Sequence, residues 1–140
     1  MRYIIFVFIC ILFACNHNNS EEAEYKEIDS INGPVLYVQK QLVDLGKIMQ
    51  GDRVKCVFDI ENHGKSDLLI KSVSAGCGCT STDWDPAPIK PGEKSKIEIE
   101  FNSSGKSGKQ TKKVFVNSNA HKQDAVLTFT CEVEIPNKTE

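Results

Sequence analysis

Lys96-Ile97-Glu98-Ile99-Glu100-Phe101 alternates charge and hydrocarbon at every position. Successive side chains of an extended chain point to opposite faces, so Ile97, Ile99 and Phe101 share one face and the charges share the other. A strand with one dry face and one wet face belongs to an antiparallel sheet packed against a core. Val54, Cys56, Phe58 and Ile60 repeat the pattern with Lys55, Asp59 and Glu61 opposite, and Leu127, Phe129, Cys131 and Val133 repeat it near the end of the chain. Further runs lie near residues 35–42, 68–73, 80–84 and 112–118. Turn sequences such as Asn62-His63-Gly64 and Lys90-Pro91-Gly92-Glu93 divide the runs. No segment carries a helical period of useful length, and no internal repeat is present. The expected fold is all-β, an antiparallel β-sandwich of about seven strands.

Upstream of the strands the chain changes character. Arg2 precedes an unbroken apolar stretch over residues 3–14, the n-region and h-region of a secretory signal. Twelve apolar residues are too few for a stable transmembrane helix, which needs about 20. The stretch ends in Leu12-Phe13-Ala14-Cys15, which resembles a lipobox with Phe13 in place of the usual small residue. Cleavage before Cys15 and diacylation of its thiol are therefore expected, with residues 1–14 as signal peptide. Two or more acyl chains, at about 0.8 kcal/mol per buried methylene, make such an anchor effectively permanent. Residues 15–33 are polar and acidic, with Glu21, Glu22, Glu24, Glu27 and Asp29, and read as a solvated tether. Acidic residues just after the lipidated cysteine also resemble the signals that send some lipoproteins to the cell surface. Asp29-Ser30-Ile31 resembles a short O-glycosylation site on Ser30. The sequons at Asn102 and Asn137 are discounted in a bacterial lipoprotein.

Removing the signal leaves 126 residues with 16 Lys plus Arg against 19 Asp plus Glu. That length suits one domain able to bury an ordinary core. Lysines and acids alternate along strands instead of forming a basic stripe, so nucleic acid is excluded as a partner.

Several separated stretches agree, in order, with one family. Asp44-Leu45-Gly46-Lys47-Ile48 with Gly51-Asp52, then Phe58-Asp59-Ile60-Glu61-Asn62-His63-Gly64, Cys77-Gly78-Cys79-Thr80 and Pro91-Gly92-Glu93 resemble the bacterial domain of unknown function 1573. Residues 97–102, a turn at 105–110 and Val116-Asn117-Ser118-Asn119 extend the match, which runs from about Leu36 to Val133. The resemblance implies an immunoglobulin-like sandwich akin to the Hydin-type domains of centrosomal and ciliary proteins, found in exported proteins of Bacteroidetes-like bacteria. It brings no known reaction. The domain is placed at residues 34–136, with a short tail at 137–140. Cys56 and Cys131 stand where the family usually has other residues.

Catalytic constellations are not visible. A hydrolase needs a nucleophile and a base that converge. His17 lies in the tether, His63 in a turn and His121 in a loop, while carboxylates such as Glu98 and Glu100 occupy wet strand faces. Trp84 reads first as core bulk and second as a partner-binding anchor. Exposed edge strands are the favoured partner surface. Cys56 and Cys131 fall on inward faces and form either a disulfide, worth about 4.5 kcal/mol for so long a loop, or two buried thiols. Cys77 and Cys79 form a local unit. A bridge closing three residues gains only about 1.6 kcal/mol, so stability alone is a poor reason for the pair. Gly78 permits the bend that a bridge requires. Zinc would need two further ligands, whereas copper(I) accepts two thiolates.

These features point to an envelope lipoprotein, anchored to a membrane through Cys15, with the outer membrane favoured over the inner. Its non-catalytic immunoglobulin-like module would bind or support envelope proteins, with no cofactor and no enzymatic activity. The alternative is a copper- or zinc-binding protein, or a thiol redox protein, using Cys77-Gly78-Cys79.

Overall fold

The computed structural model describes residues 32–121 and 124–136. The expected signal peptide at residues 1–14, Cys15, His17, Ser30 and the tail at 137–140 lie outside the described residues. Eight strands follow in order: β1 (Leu36–Val38), β2 (Leu42–Met49), β3 (Arg53–Asn62), β4 (Ile70–Ala75), β5 (Thr80–Trp84), β6 (Lys94–Asn102), β7 (Gly108–Ser118) and β8 (Asp124–Glu134). They form two four-stranded sheets, ordered β1-β3-β6-β5 and β2-β8-β7-β4.

Alternation in the sequence becomes the division between core and surface. β3 and β6 pair antiparallel from Arg53 opposite Asn102 to Glu61 opposite Lys94. Their inward rows, Cys56, Phe58 and Ile60 beside Ile97, Ile99 and Phe101, are all buried. Val114, Val116, Leu127, Phe129, Cys131 and Val133 meet them from the β7–β8 pair. Phe101 and Phe129 pack across the sheets with ring centroids 5.5 Å apart and planes tilted by 59°. Each fully buried side chain of this size contributes about 1.5–3 kcal/mol, so these rows hold the sheets together.

The expected fold class is correct, and four details of it are corrected. The strands number eight because the run at residues 35–42 breaks at residues 39–41, where the chain leaves one sheet for the other. β2 then lies parallel to β8, so the sandwich is not wholly antiparallel. A register shift between Asp44 and Lys47 passes through Gly46, whose φ of 67° suits glycine, and Asp44 Oδ1 accepts its N–H at 3.0 Å. The turn placed at 105–110 is shorter, because Gly108, Lys109 and Gln110 already belong to β7. Leu68 precedes β4 and bridges to Ile89 instead of starting the strand.

Asn62 continues the inward face of β3 one step beyond Ile60 and is completely buried. Its Nδ2 donates to the carbonyls of Ser66 and Ile89, each at 2.8 Å. Its Oδ1 accepts from Gly64 N at 2.9 Å and Val35 N at 3.3 Å. The start of β1, the turn after β3 and the approach to β6 are thereby joined by one side chain. Gly64 sits where a Cβ would collide with the backbone of Gly33 and Pro34. Elsewhere, the buried Ser103 hydroxyl lies 2.8 Å from the Met49 carbonyl and 3.0 Å from that of Asp52, closing the β2–β3 turn. Asn119 accepts from Leu69 N and donates to the Asp67 carbonyl, fixing the lead into β4.

Cys56 and Cys131 are buried and free. Each thiol sits on its sheet's inward face as a small apolar residue. Burial pushes both thiols up, more than the nearby Lys112 lowers Cys131. The protonated form is thus favoured in the fold, so this contribution is complete below the ordinary thiol range and is lost as pH rises through the raised values.

Two outcomes are expected. Asn62→Ala should lower unfolding stability by about 3 kcal/mol, because Val35 N, Gly64 N and the Ser66 carbonyl lose their partner and the Ile89 carbonyl keeps only Leu68 N, against about 1 kcal/mol for the more exposed Asn119→Ala. Urea denaturation of both variants measures the difference, and equal losses would refute the role given to Asn62. Ellman's reagent at neutral pH should leave Cys56 and Cys131 unmodified in the folded protein and react with both after denaturation.

Candidate functional site

β5 is five residues long, roughly 13 Å from end to end, and edges its sheet. It pairs with β6 alone, from Thr80 opposite Phe101 to Trp84 opposite Ile97. β4 edges the other sheet on the same flank, and the loop at residues 76–79 carries the chain between them. Thr82 Oγ1 donates to the Val73 carbonyl at 3.2 Å, tying β5 to β4 across the sheets. Sequence features of interest stand at both ends of this short edge strand.

At its start, Cys77 and Cys79 are joined by a disulfide with Cα atoms 5.3 Å apart. The loop bends at Gly76 to Cys79, as a bridge between residues i and i+2 requires. Thr80 N donates to the Cys77 carbonyl at 3.3 Å, and Asn102 N to the Cys79 carbonyl at 2.9 Å. The two sulfurs are placed differently. Cys79 packs against the core, whereas Cys77 lines a cleft of ≈ 280 Å³ with Gly76, Thr80, Thr111, Lys112, Lys113 and Phe115. Thr80 Oγ1 lies 3.5 Å from Cys77 Sγ and 4.0 Å from Cys79 Sγ. Lys112 extends over the Phe101 ring, with Nζ 5.8 Å from its centroid. Sulfurs bonded to each other are not available to zinc or copper. Among the described residues no three His, Cys, Asp or Glu side chains gather as a metal site.

At its other end, Trp84 is half-buried and packs against the core, as its first reading expects. The same residue also lines an open cleft of ≈ 600 Å³. Its indole Nε1 is buried with no hydrogen-bond acceptor, the one buried side-chain nitrogen or oxygen so placed among the described residues. Four carboxylates, Asp59, Asp83, Asp85 and Glu98, face two amines, Lys94 and Lys96, around the cleft. The hydrogen bond and charge of Glu98 raise the Lys96 pKa, with Asp83 and Asp59 adding to the effect, and Lys96 in turn holds Glu98 below the usual carboxylate range.

Among the described residues the two histidines, His63 and His121, stand apart. His63 stacks on Tyr37 at 4.3 Å with planes 7° apart and lies 3.4 Å from Glu61. His121 is exposed in the loop after β7. Sequence reasoning passed over Lys112, Lys113 and the Trp84 N–H. Lys112 shares parity with the buried Val114 and Val116, which is the signal that placed it inward.

No curated relative matches the chain. A protein of unknown function from Porphyromonas gingivalis W83 shares the fold at 18% identity and a TM-score of 0.64, over 74% of this chain and 48% of that one. The chain thus spans about half the length of that protein. The ASH or PapD-like domain 7 of human CEP192 aligns at 10% identity and a TM-score of 0.62, over 92% and 97% of the two chains. A family 123 glycoside hydrolase from Clostridium perfringens aligns at 10% identity and a TM-score of 0.60, over 82% of this chain but 25% of the enzyme. At such identities the likeness is one of fold. The model for the family described as Protein of unknown function (DUF1573) matches residues 36–133, from β1 into β8. The chain therefore belongs to the DUF1573 family, and its domain has an immunoglobulin-like β-sandwich fold.

Proposed function

We propose that this protein is a non-catalytic binding module of the cell envelope, held at a membrane by lipid on Cys15 and engaging an envelope protein through the β5 edge. The observation that carries the reading is the buried indole N–H of Trp84, without an acceptor, in an edge strand beside an acidic cleft. A buried donor left unsatisfied costs about 1–3 kcal/mol. A partner segment laid along β5 supplies backbone groups to the strand edge, and a shift of the Trp84 ring on docking would bring its N–H to a carbonyl of that segment. Tryptophan suits such an anchor, since a large rigid side chain is ordered at small entropic cost. The excess of carboxylates favours a partner segment that carries basic residues.

Support for the membrane anchor comes from Arg2, the apolar stretch at 3–14 and Leu12-Phe13-Ala14-Cys15. Among the described residues no helix is long and apolar enough to cross a membrane. A lipidated Cys15 with the acidic tether at 15–33 would hold the sandwich clear of the bilayer while leaving the β5 flank open. The favoured site is the outer membrane.

Two tests separate the parts. Cys15→Ala should abolish the fatty-acid-labelled, detergent-phase form, and retained labelling would refute the anchor. A photocrosslinker at Ser81 on β5 should capture a defined protein in intact cells, while one at Glu132 on the opposite sheet should not. Trp84→Phe, which keeps an aromatic ring and loses the N–H, should weaken that capture by about ten-fold. Equal capture from both sites, or none from Ser81, would overturn the β5 assignment.

A further inference from the structure

The β4–β5 crossing holds chemistry that binding at the strand edge does not use. Its disulfide closes only three residues, and the loop is already fixed by the Thr80 N to Cys77 carbonyl and Asn102 N to Cys79 carbonyl bonds. Thr82 adds a third tie to Val73. Breaking the sulfur–sulfur bond therefore leaves the crossing in place. The two cysteines, both half-buried, also differ in surroundings, one lining an open cleft and the other packed against hydrocarbon.

We propose that Cys77–Cys79 is a thiol–disulfide exchange site whose substrate is a dithiol or disulfide of another polypeptide, with Cys77 as the exchanging sulfur. A substrate thiolate enters the cleft and attacks Cys77 Sγ. The Cys77–Cys79 bond breaks, its electron pair leaves on Cys79 Sγ, and a solvent proton makes the Cys79 thiol. The substrate's second thiolate then attacks its own sulfur in the mixed disulfide and releases Cys77 as a thiolate, which takes up a proton. Two substrate thiols lose two electrons and become a disulfide, while Cys77 and Cys79 gain those electrons as thiols. Run backwards, the same steps reduce a substrate disulfide.

The surroundings suit that sequence. Thr80 Oγ1, 3.5 Å from Cys77 Sγ, donates to the released thiolate. Lys112 and Lys113 line the cleft, and their positive charge favours thiolate over thiol on both the substrate and Cys77. Cys79 is half-buried like Cys77 but packs against the core and does not line the cleft, which favours attack on Cys77. The assignment needs neither the lipid anchor nor the β5 partner.

Purified protein is incubated with reduced glutathione, quenched in acid, alkylated and mapped by peptide mass, which separates Cys77 and Cys79 from the other cysteines. In oxidised glutathione, Cys79→Ser should carry the mixed disulfide on Cys77 at least about ten-fold faster than Cys77→Ser carries it on Cys79. In the unaltered chain, dithiothreitol should reduce the pair while the circular dichroism spectrum stays that of the folded protein. Within Cys79→Ser, Thr80→Val and the pair Lys112→Gln with Lys113→Gln should each move the pH midpoint of Cys77 alkylation upward. The proposal fails if both sulfurs exchange equally, if neither exchanges, if the disulfide resists dithiothreitol until the protein is denatured, or if the pH profile ignores both sets of substitutions.

Discussion

Every hydrogen-bonding function of the buried Asn62 carboxamide is used, and three segments of chain take their positions from it. An amide removed from water without partners costs several kcal/mol, so a side chain of this kind is stable only where the surrounding backbone converges on it. That convergence works in both directions. The Ser66 carbonyl and the N–H groups of Gly64 and Val35 would themselves be left without this partner at one end of the sandwich, and the Ile89 carbonyl would keep only Leu68 N. Asn62 reaches this point through the same alternation that builds the core, one step along β3 after Cys56, Phe58 and Ile60. Hydrocarbon packing sets the distance between the sheets, and the amide closes the end that hydrocarbon alone would leave frayed.

The opposite condition holds on the β4–β5 flank. Each of these strands pairs on one side only, and Thr82 to Val73 is the hydrogen bond that ties one to the other. β5 is short, which limits indiscriminate pairing at an exposed edge. Across the outer face of its sheet, Arg53 with Glu100 and Lys94 with Glu61 form exposed ion pairs that add little stability. Their value lies in keeping the face soluble and leaving the edge as its distinctive feature. A cleft richer in carboxylates than amines then gives that edge a sign of charge.

Parity made much of the fold legible. β5 begins and ends at the residues expected, and the inward rows of β3, β6 and β8 are those read from alternation. β2 escaped because its alternation is interrupted at Gly46, so Leu45 and Ile48 fall out of phase, and because parallel pairing with β8 is a long-range event that leaves no local mark. Parity also tells which face a side chain takes and not how far it lies from one on the other sheet, which is why Cys56 and Cys131 stayed open between bridge and free thiols. Asn62 was legible in principle, since it shares parity with Ile60, but its turn-forming character masked the inward position. Lys112 was masked in the same way by its charge, although a lysine can lay its methylenes along apolar surface and carry the amine outward.

The crossing between the sheets accounts for the unequal sulfurs. Stacked sheets lie about 10 Å apart, and the chain must travel from one to the other within residues 76–79. A straight strand would send Cys77 and Cys79 to the same side. The bend at Gly76-Cys77-Gly78-Cys79 breaks that rule, turning the second sulfur toward the core as the chain joins β5 and leaving the first over the cleft. Glycines on both sides of Cys77 keep the approach to its sulfur free of bulk. Because β5 pairs with β6 immediately afterwards, at Thr80 opposite Phe101, the bend is anchored by the sheet and not by the bridge. A change in the state of the sulfurs is therefore confined to the loop, where it alters what the flank presents to solvent while the sandwich beneath keeps its register.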